Sequence, residues 1–202
     1  MYRYIGNKTK LLPVLMEIIA EEAPLNATVV DLMSGTGSVA VSLRQRGYHV
    51  IASDMMTYSK HHLVTQLLLN EPPSFKKIIE YLNIRNTDLS GYESILSYLN
   101  SLPGKESYFF NEFSPDGTPS NGSPSRKYFT SQNAKKIDAI REEINSWIEK
   151  SLITSEEESV LKHTLIMSVN DIANISGTYG YFLSKFNAKS LEPIMLRPVQ
   201  FI

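Results

Sequence analysis

Residues 28–54 read TVVDLMSGTGSVAVSLRQRGYHVIASD, and this stretch decides the fold. Residues 28–32 form a short β-branched and apolar run suited to a buried strand, which stops at a turn containing Gly35 and Gly37. Residues 38–46 carry Val39 and Leu43 at helical spacing, and Gly47 supplies a left-handed cap. Residues 48–52 are a second apolar run, with Asp54 at its carboxyl end. Strand, glycine turn, helix and strand in this order build one half of a nucleotide-type pocket and predict an α/β fold.

In such a turn, glycines without Cβ let the backbone approach a ligand closely, and the helix N-terminus offers unpaired N–H groups with about half a positive charge. An adenosine-bearing ligand fits, and Asp54 stands where a doubly wound sheet presents an acceptor to ribose hydroxyls. Two hydrogen bonds to a charged acceptor contribute on the order of 1.5–3 kcal/mol each. Residues 35–40, Gly-Thr-Gly-Ser-Val-Ala, also satisfy the dinucleotide pattern G-x-G-x-x-A, so a dinucleotide and a ligand-free turn stay open as alternatives. Asp31 favours another ligand. A pyrophosphate gains nothing from a carboxylate four residues before Gly35, whereas the cationic amino acid end of S-adenosylmethionine can use one.

At 202 residues the chain can hold one domain with a sizeable core, or a domain with a small helical insert. Its apolar share of 42% and charged share of 20% fit an ordinary soluble globular protein, not a disordered or membrane-embedded one. No apolar run is long enough to span a bilayer and the N-terminus lacks a signal-peptide pattern, so a cytoplasmic protein without a membrane partner is expected. Zero cysteines exclude disulfides and thiolate metal sites. His49, His61, His62 and His163 form no ligand pattern with paired acids, so no metal is expected. The net charge of −1 argues against indiscriminate adhesion to nucleic acid, but the charge is uneven. Residues 122–141 hold Arg126, Lys127, Lys135, Lys136 and Arg141 against Asp138 alone, and residues 142–158 are dominated by glutamate. On charge alone, a phosphate-neutralising face and a solvated helix with its charges sorted by sign are equally served.

Residues 1–12 place tyrosines, Arg3, Gly6, Asn7, Lys8 and Lys10 before an amphipathic helix whose apolar stripe is Leu11, Leu12, Leu15, Ile18 and Ile19. Pro13 suits its first turn and Thr9 its cap. A glycine followed by polar residues and lysine can hold an anion, though an ordinary polar tail is the plainer reading. After Asp54 a helix is expected over 55–70, with Tyr58 either over an adenine or in the core; Pro72 and Pro73 end it, and helices follow over 74–84 and 91–102. Residues 103–125 are rich in Gly, Pro, Ser and Asn, and few regular elements are expected there. Their flank Arg126-Lys127-Tyr128-Phe129 combines cations and aromatics, as phosphate contacts and base stacking require. Residues 133–150 predict a helix with Ile137, Ile140, Ile144 and either Trp147 or Ile148 inward and Lys135, Asp138 and Glu142 more outward. A capping box at Thr154 and Glu157 opens another helix. It runs into residues 175–182, ISGTYGYF, either a helix terminator or the lip of a pocket, and residues 193–199 are expected to form one last strand.

Four separated segments together resemble the alpha-group DNA adenine methyltransferases. They are residues 3–12 (RYIGNKTKLL), residues 31–37 with Asp54, Tyr128-Phe129-Thr130 with residues 133–141 (NAKKIDAIR), and residues 173–180 (ANISGTYG). The resemblance implies an incomplete Rossmann-like, S-adenosylmethionine-dependent methyltransferase sheet with a largely helical insert. Residues 1–70 would be the cofactor-binding part, 71–150 the insert and DNA-recognition region, and 151–202 a helix and return to the methyltransferase domain. Tyr4, Gly6, Lys8, Asp31, Gly35, Gly37 and Asp54 would bind S-adenosylmethionine, with Lys8 near its carboxylate. Methyl transfer would go to the exocyclic amine of an adenine flipped out of duplex DNA, because a stacked base cannot meet the sulfonium in line. Arg126, Lys127, Tyr128, Lys135 and Lys136 would contact DNA, with Lys185 and Lys189 nearby. A restriction endonuclease is the implied partner system.

The family's catalytic tetrapeptide, Asp or Asn followed by Pro-Pro and an aromatic, is absent. Glu71-Pro72-Pro73-Ser74 lacks the required first and last residues, and Ser114-Pro115-Asp116-Gly117 fails as well, so no catalytic residue is assigned. In the family's order the tetrapeptide follows the segment that ends this sequence. The resemblance therefore implies an amino-terminal portion that is inactive alone and binds the cofactor weakly or not at all in isolation, the catalytic segment lying further along the same chain or in a second one. The alternative is a noncatalytic cofactor- or DNA-binding subunit of a split methyltransferase, and less favoured is a dinucleotide-binding oxidoreductase fragment.

Overall fold

The computed structural model describes residues 6–84 and 88–201. The chain divides into two compact units, with the boundary between Pro72 and Pro73 and the second unit running to Val199. None of the described helices is long and apolar enough to cross a membrane.

The first unit opens with a 3-10 turn, Thr9–Leu11, leading into α1, Leu12–Glu22. Thr9 does not cap α1. Asn7 instead accepts from the Thr9 N–H at 2.9 Å and from its hydroxyl, and Leu11 holds the N-cap position. Then come β1 (Thr28–Asp31), α2 (Ser38–Gln45), β2 (His49–Ala52) and α3 (Thr57–Leu63). The two strands pair in parallel, Thr28 opposite His49 and Asp31 opposite Ala52, as a helical crossover requires. Val29 and Val50 pack on a core of Met16, Leu43 and Tyr48. On the opposite face Val30 and Ile51 remain 52% and 56% exposed, so only one side of the sheet is covered among the described residues. The architecture is therefore mixed α/β with a small parallel two-stranded sheet. The helix expected over 55–70 becomes α3 followed by a π turn, Val64–Leu68. The Arg44 guanidinium steadies that turn by donating to the Gln66 carbonyl at 2.7 Å and to the Asn70 side chain.

The second unit contains α4 (Lys76–Tyr81), α5 (Gly91–Ser101), α6 (Tyr108–Phe113), α7 (Ser131–Glu149) and α8 (Ser155–Ile172). Helix α7 contacts α5, α6 and α8 and buries Ile137, Ile140, Ile144 and Trp147. Thr154 and Glu157 close the expected capping box, and Ser90 with Glu93 forms a second. Residues 151–199, which the resemblance assigned to a return to the methyltransferase domain, lie in this second unit.

Three expectations are corrected here. Helix α6 forms inside the breaker-rich stretch, and Asp138, expected to face outward, is fully buried beneath it. Its carboxylate accepts from the N–H groups of Ser107 (3.2 Å), Phe109 (2.8 Å) and Phe110 (2.8 Å), completing the first turn of α6 from a neighbouring helix. Residues 193–199 make no strand. Asparagine side chains take the backbone groups a ladder would use: Asn100 exchanges two hydrogen bonds with Leu196, and Asn133 accepts from the Ile194 N–H and donates to the Glu192 carbonyl.

Candidate functional site

At the carboxyl end of β1 the chain makes a tightly bonded turn. The Ser34 N–H donates to the Ser53 carbonyl at 3.0 Å, the Ser34 hydroxyl to the Asp31 carbonyl at 2.7 Å, and the Gly37 N–H to the Ser34 carbonyl at 2.8 Å. Gly35 and Gly37 take φ of +55° and +81°, the left-handed region that L side chains rarely adopt. A Cβ at Gly37 would also stand 3.2 Å from Leu63 Cδ2 and 3.3 Å from Gln66 Oε1. Glycine is required there by both conformation and space.

Two carboxylates flank the turn and differ in their bonding. Asp54 Oδ2 accepts from the Gly35 N–H at 2.7 Å, and its Oδ1 from the Met56 N–H at 2.8 Å. The Met56 bond first, then the Gly35 bond, hold the Asp54 pKa below the ordinary carboxylate value, and the Lys8 ammonium lowers it further. Each oxygen still has acceptor capacity for a hydroxyl donor. Asp31 Oδ2 is buried and has no hydrogen-bond partner among the described residues. A buried carboxylate oxygen without a donor is costly, and a cationic ligand group is the donor its chemistry suits.

Of the seven residues expected to bind cofactor, Asp31, Gly35, Gly37 and Asp54 are thus gathered at one turn. Lys8 is exposed and near enough to act on Asp54, and Gly6 takes a φ of +82° with nothing within 4 Å of where a Cβ would lie. Tyr4 lies outside the described residues. Tyr58, weighed as an adenine cover, is half-buried with its ring edge-on to His62 at 6.1 Å. Met55, 97% exposed directly after Asp54, presents apolar surface that sequence reasoning passed over; an apolar residue just outside a strand end was its only signal. A cleft of about 500 Å³ shares Ser53 and Asp54 with the turn but runs along β2 and α3, lined by Arg44, Lys60, Leu63 and Leu67.

In the second unit the residues expected to meet DNA are differently engaged. Arg126 pairs with Glu112 at 3.3 Å, and Lys135 pairs with Glu106 at 2.6 Å and lies over the Phe110 ring. Lys136 donates to the Leu102 carbonyl, and burial lowers its pKa. Lys127 is exposed and donates to the Ser184 carbonyl at 3.3 Å. Tyr128 donates its hydroxyl to the Tyr179 carbonyl at 2.9 Å. Among the described residues no cluster of His, Cys, Asp and Glu could hold a metal ion.

Comparison with known proteins places these observations in context. Residues 4–201 match the sequence profile described as D12 class N6 adenine-specific DNA methyltransferase. The chain is 32% identical over 199 residues to Modification methylase StsI of Streptococcus sanguinis, covering 96% of this chain and 28% of that protein. It is 34% identical over 196 residues to Type II methyltransferase M.FokI of Planomicrobium okeanokoites, covering 96% and 28%. With Type II methyltransferase M.NlaIII of Neisseria lactamica the identity is 30% over 201 residues, covering 98% and 54%. The chain thus spans between about three-tenths and about half the length of these relatives. No solved structure matches it.

Proposed function

The chain belongs to the D12 class N6 adenine-specific DNA methyltransferase family, and on that premise we propose that its first unit binds S-adenosylmethionine and its second unit faces duplex DNA. Both serve methylation of the exocyclic amine of a target adenine. The observation that carries the cofactor assignment is the unlike bonding of the two carboxylates: Asp31 keeps a buried oxygen without a donor among the described residues, while Asp54 is fixed by the Gly35 and Met56 N–H groups. Asp31 would accept the ligand's ammonium, Asp54 its ribose hydroxyls, and the turn at Gly35 and Gly37 would admit its close approach. Lys8, with Gly6 and Tyr4, would serve its carboxylate. When bound, the cofactor supplies an electrophilic methyl group on a sulfonium.

The same geometry speaks against a dinucleotide. The Gly35 N–H that a pyrophosphate would use is already held by a carboxylate at 2.7 Å, and a second anion beside it would be repelled. In this reading the two strands are the start of an incomplete Rossmann-like sheet, which suits the open face at Val30 and Ile51, and the second unit is its helical insert. The sequence holds no Asp/Asn-Pro-Pro-aromatic tetrapeptide, so no methyl transfer is expected from this chain alone. Pairing with a restriction endonuclease is part of the same proposal.

Ligand-observed saturation-transfer NMR on the 202-residue chain tests the cofactor, because it detects weak binding. The expected result is transfer to the adenine and methionine protons of S-adenosylmethionine, reduced by Asp31→Asn, and little to NAD at equal concentration. Preference for NAD would overturn the reading.

A further inference from the structure

We propose that Lys127 and Lys185 contact phosphates of duplex DNA at the base of the turn formed by residues 175–183, with the Tyr181 ring packed against the same strand. This inference rests on the DNA-facing reading of the second unit and moves the contact surface away from Lys135 and Lys136.

Two stretches of the sequence combine cations with a complete lack of acids. Residues 117–137 hold Arg126, Lys127, Lys135 and Lys136 without Asp or Glu, and residues 172–191 hold Lys185 and Lys189 without Asp or Glu. The fold joins them. The Asn174 N–H donates to the Tyr128 carbonyl at 2.8 Å, and the Asn174 amide donates to the carbonyls of Lys127 and Leu183 at 2.9 and 3.0 Å. The Tyr128 hydroxyl reaches the Tyr179 carbonyl, the two rings stack at 6.4 Å, and Phe182 meets Tyr128 edge-on at 5.1 Å. Ile175 and Phe182 close the turn as an antiparallel bridge.

Partners then sort the six cations. Arg126, Lys135 and Lys189 are paired with Glu112, Glu106 and Asp171, and Lys136 is half-buried against the Leu102 carbonyl. Lys127 and Lys185 are exposed and form no ion pair among the described residues. Lys127 touches the carbonyl of Ser184, the residue before Lys185, which brings the two into one neighbourhood. Beside them Tyr181 is 86% exposed on a turn anchored at its base. Unpaired cations next to an exposed aromatic ring suit a polyanion, with the phosphates meeting the cations and the sugars offering the ring a surface.

Fluorescence anisotropy of the full chain with a labelled, adenine-containing 20-base-pair duplex, titrated between 50 and 200 mM NaCl, tests this. Each phosphate contact contributes a slope of about 0.9 in log affinity against log salt. Lys127→Ala and Lys185→Ala should each flatten the wild-type fall in affinity by roughly 3.5-fold, and the double variant by roughly 12-fold. Lys135→Ala should leave the slope unchanged. Tyr181→Ala should weaken binding at an unchanged slope, with Tyr181→Phe retaining it. Circular dichroism of each variant reports whether the fold is kept. Slopes unaltered by Lys127→Ala and Lys185→Ala, or lowered equally by Lys135→Ala, would overturn the inference and leave the DNA-facing reading standing. Absence of wild-type duplex binding at 50 mM would overturn both.

Discussion

Replacing Asp138 isolates how the second unit builds an ordered helix out of a segment full of helix breakers. The buried carboxylate receives three N–H groups at the start of α6, two on Oδ2 and one on Oδ1. Hydrogen bonds to a charged acceptor contribute about 1.5–3 kcal/mol each, so the low end for three gives about 4.5 kcal/mol for Asp138→Ala. Water cannot fully replace the carboxylate because the site is closed. Asp138→Asn can keep the two bonds at the Oδ2 position and sets its NH2 against the Phe109 N–H, for a loss of about 2 kcal/mol. Trp147, the single tryptophan, is buried on the same helix and reports urea unfolding of this unit. With a urea slope of about 2 kcal/mol per molar, the midpoint should fall by about 2 M in the alanine variant and about 1 M in the asparagine variant. An alanine variant within about 1 kcal/mol of wild type, or an asparagine variant equally damaged, would refute the capping role.

Gly37→Ala should destabilise the first unit by about 1–2 kcal/mol through its positive φ, before any cost of displacing Leu63 and Gln66; amide exchange in α2 no faster than wild type would contradict this. Asp54 has a lower pKa folded than unfolded, so its contribution to stability is present above the ordinary value of 3.8 and is lost as pH falls through the folded value. The Gly35 amide proton shift should accordingly titrate with a midpoint below 3.8, and a midpoint at or above it would exclude the bonding described. Asn174→Ala removes a fully buried side-chain amide that ties Lys127 to residues 183–187, and should cost about 2–3 kcal/mol. Unfolding monitored at Trp147 with an unchanged midpoint would show the tie to be dispensable.

What was legible in the sequence was local. The strand, glycine turn, helix and strand over 28–54 follow from β-branched runs, two glycines at left-handed positions and a capping glycine, all within one short stretch. The capping box at Thr154 is equally self-contained. What escaped depends on partners far along the chain. Helix α6 is completed by a carboxylate about thirty residues downstream, so its own breaker-rich surroundings gave the wrong signal. Residues 193–199 have strand-like composition, yet asparagines on α5 and α7 claim their backbone groups. Lys135 and Lys136 are legible as cations, but Glu106 and the Leu102 carbonyl, which engage them, lie far back along the chain. At the candidate cofactor turn the residue types were readable, whereas the unpartnered oxygen of Asp31 and the Gly35 bond of Asp54 needed the fold.

The assignment of the first unit to S-adenosylmethionine is tested most directly by mapping backbone amide shifts of the ¹⁵N-labelled chain at saturating ligand. The account predicts shifts concentrated at residues 31–37 and at Asp54 to Met56, diminished by Asp31→Asn. No perturbation at this turn, or perturbation confined to residues 73–199, would contradict it.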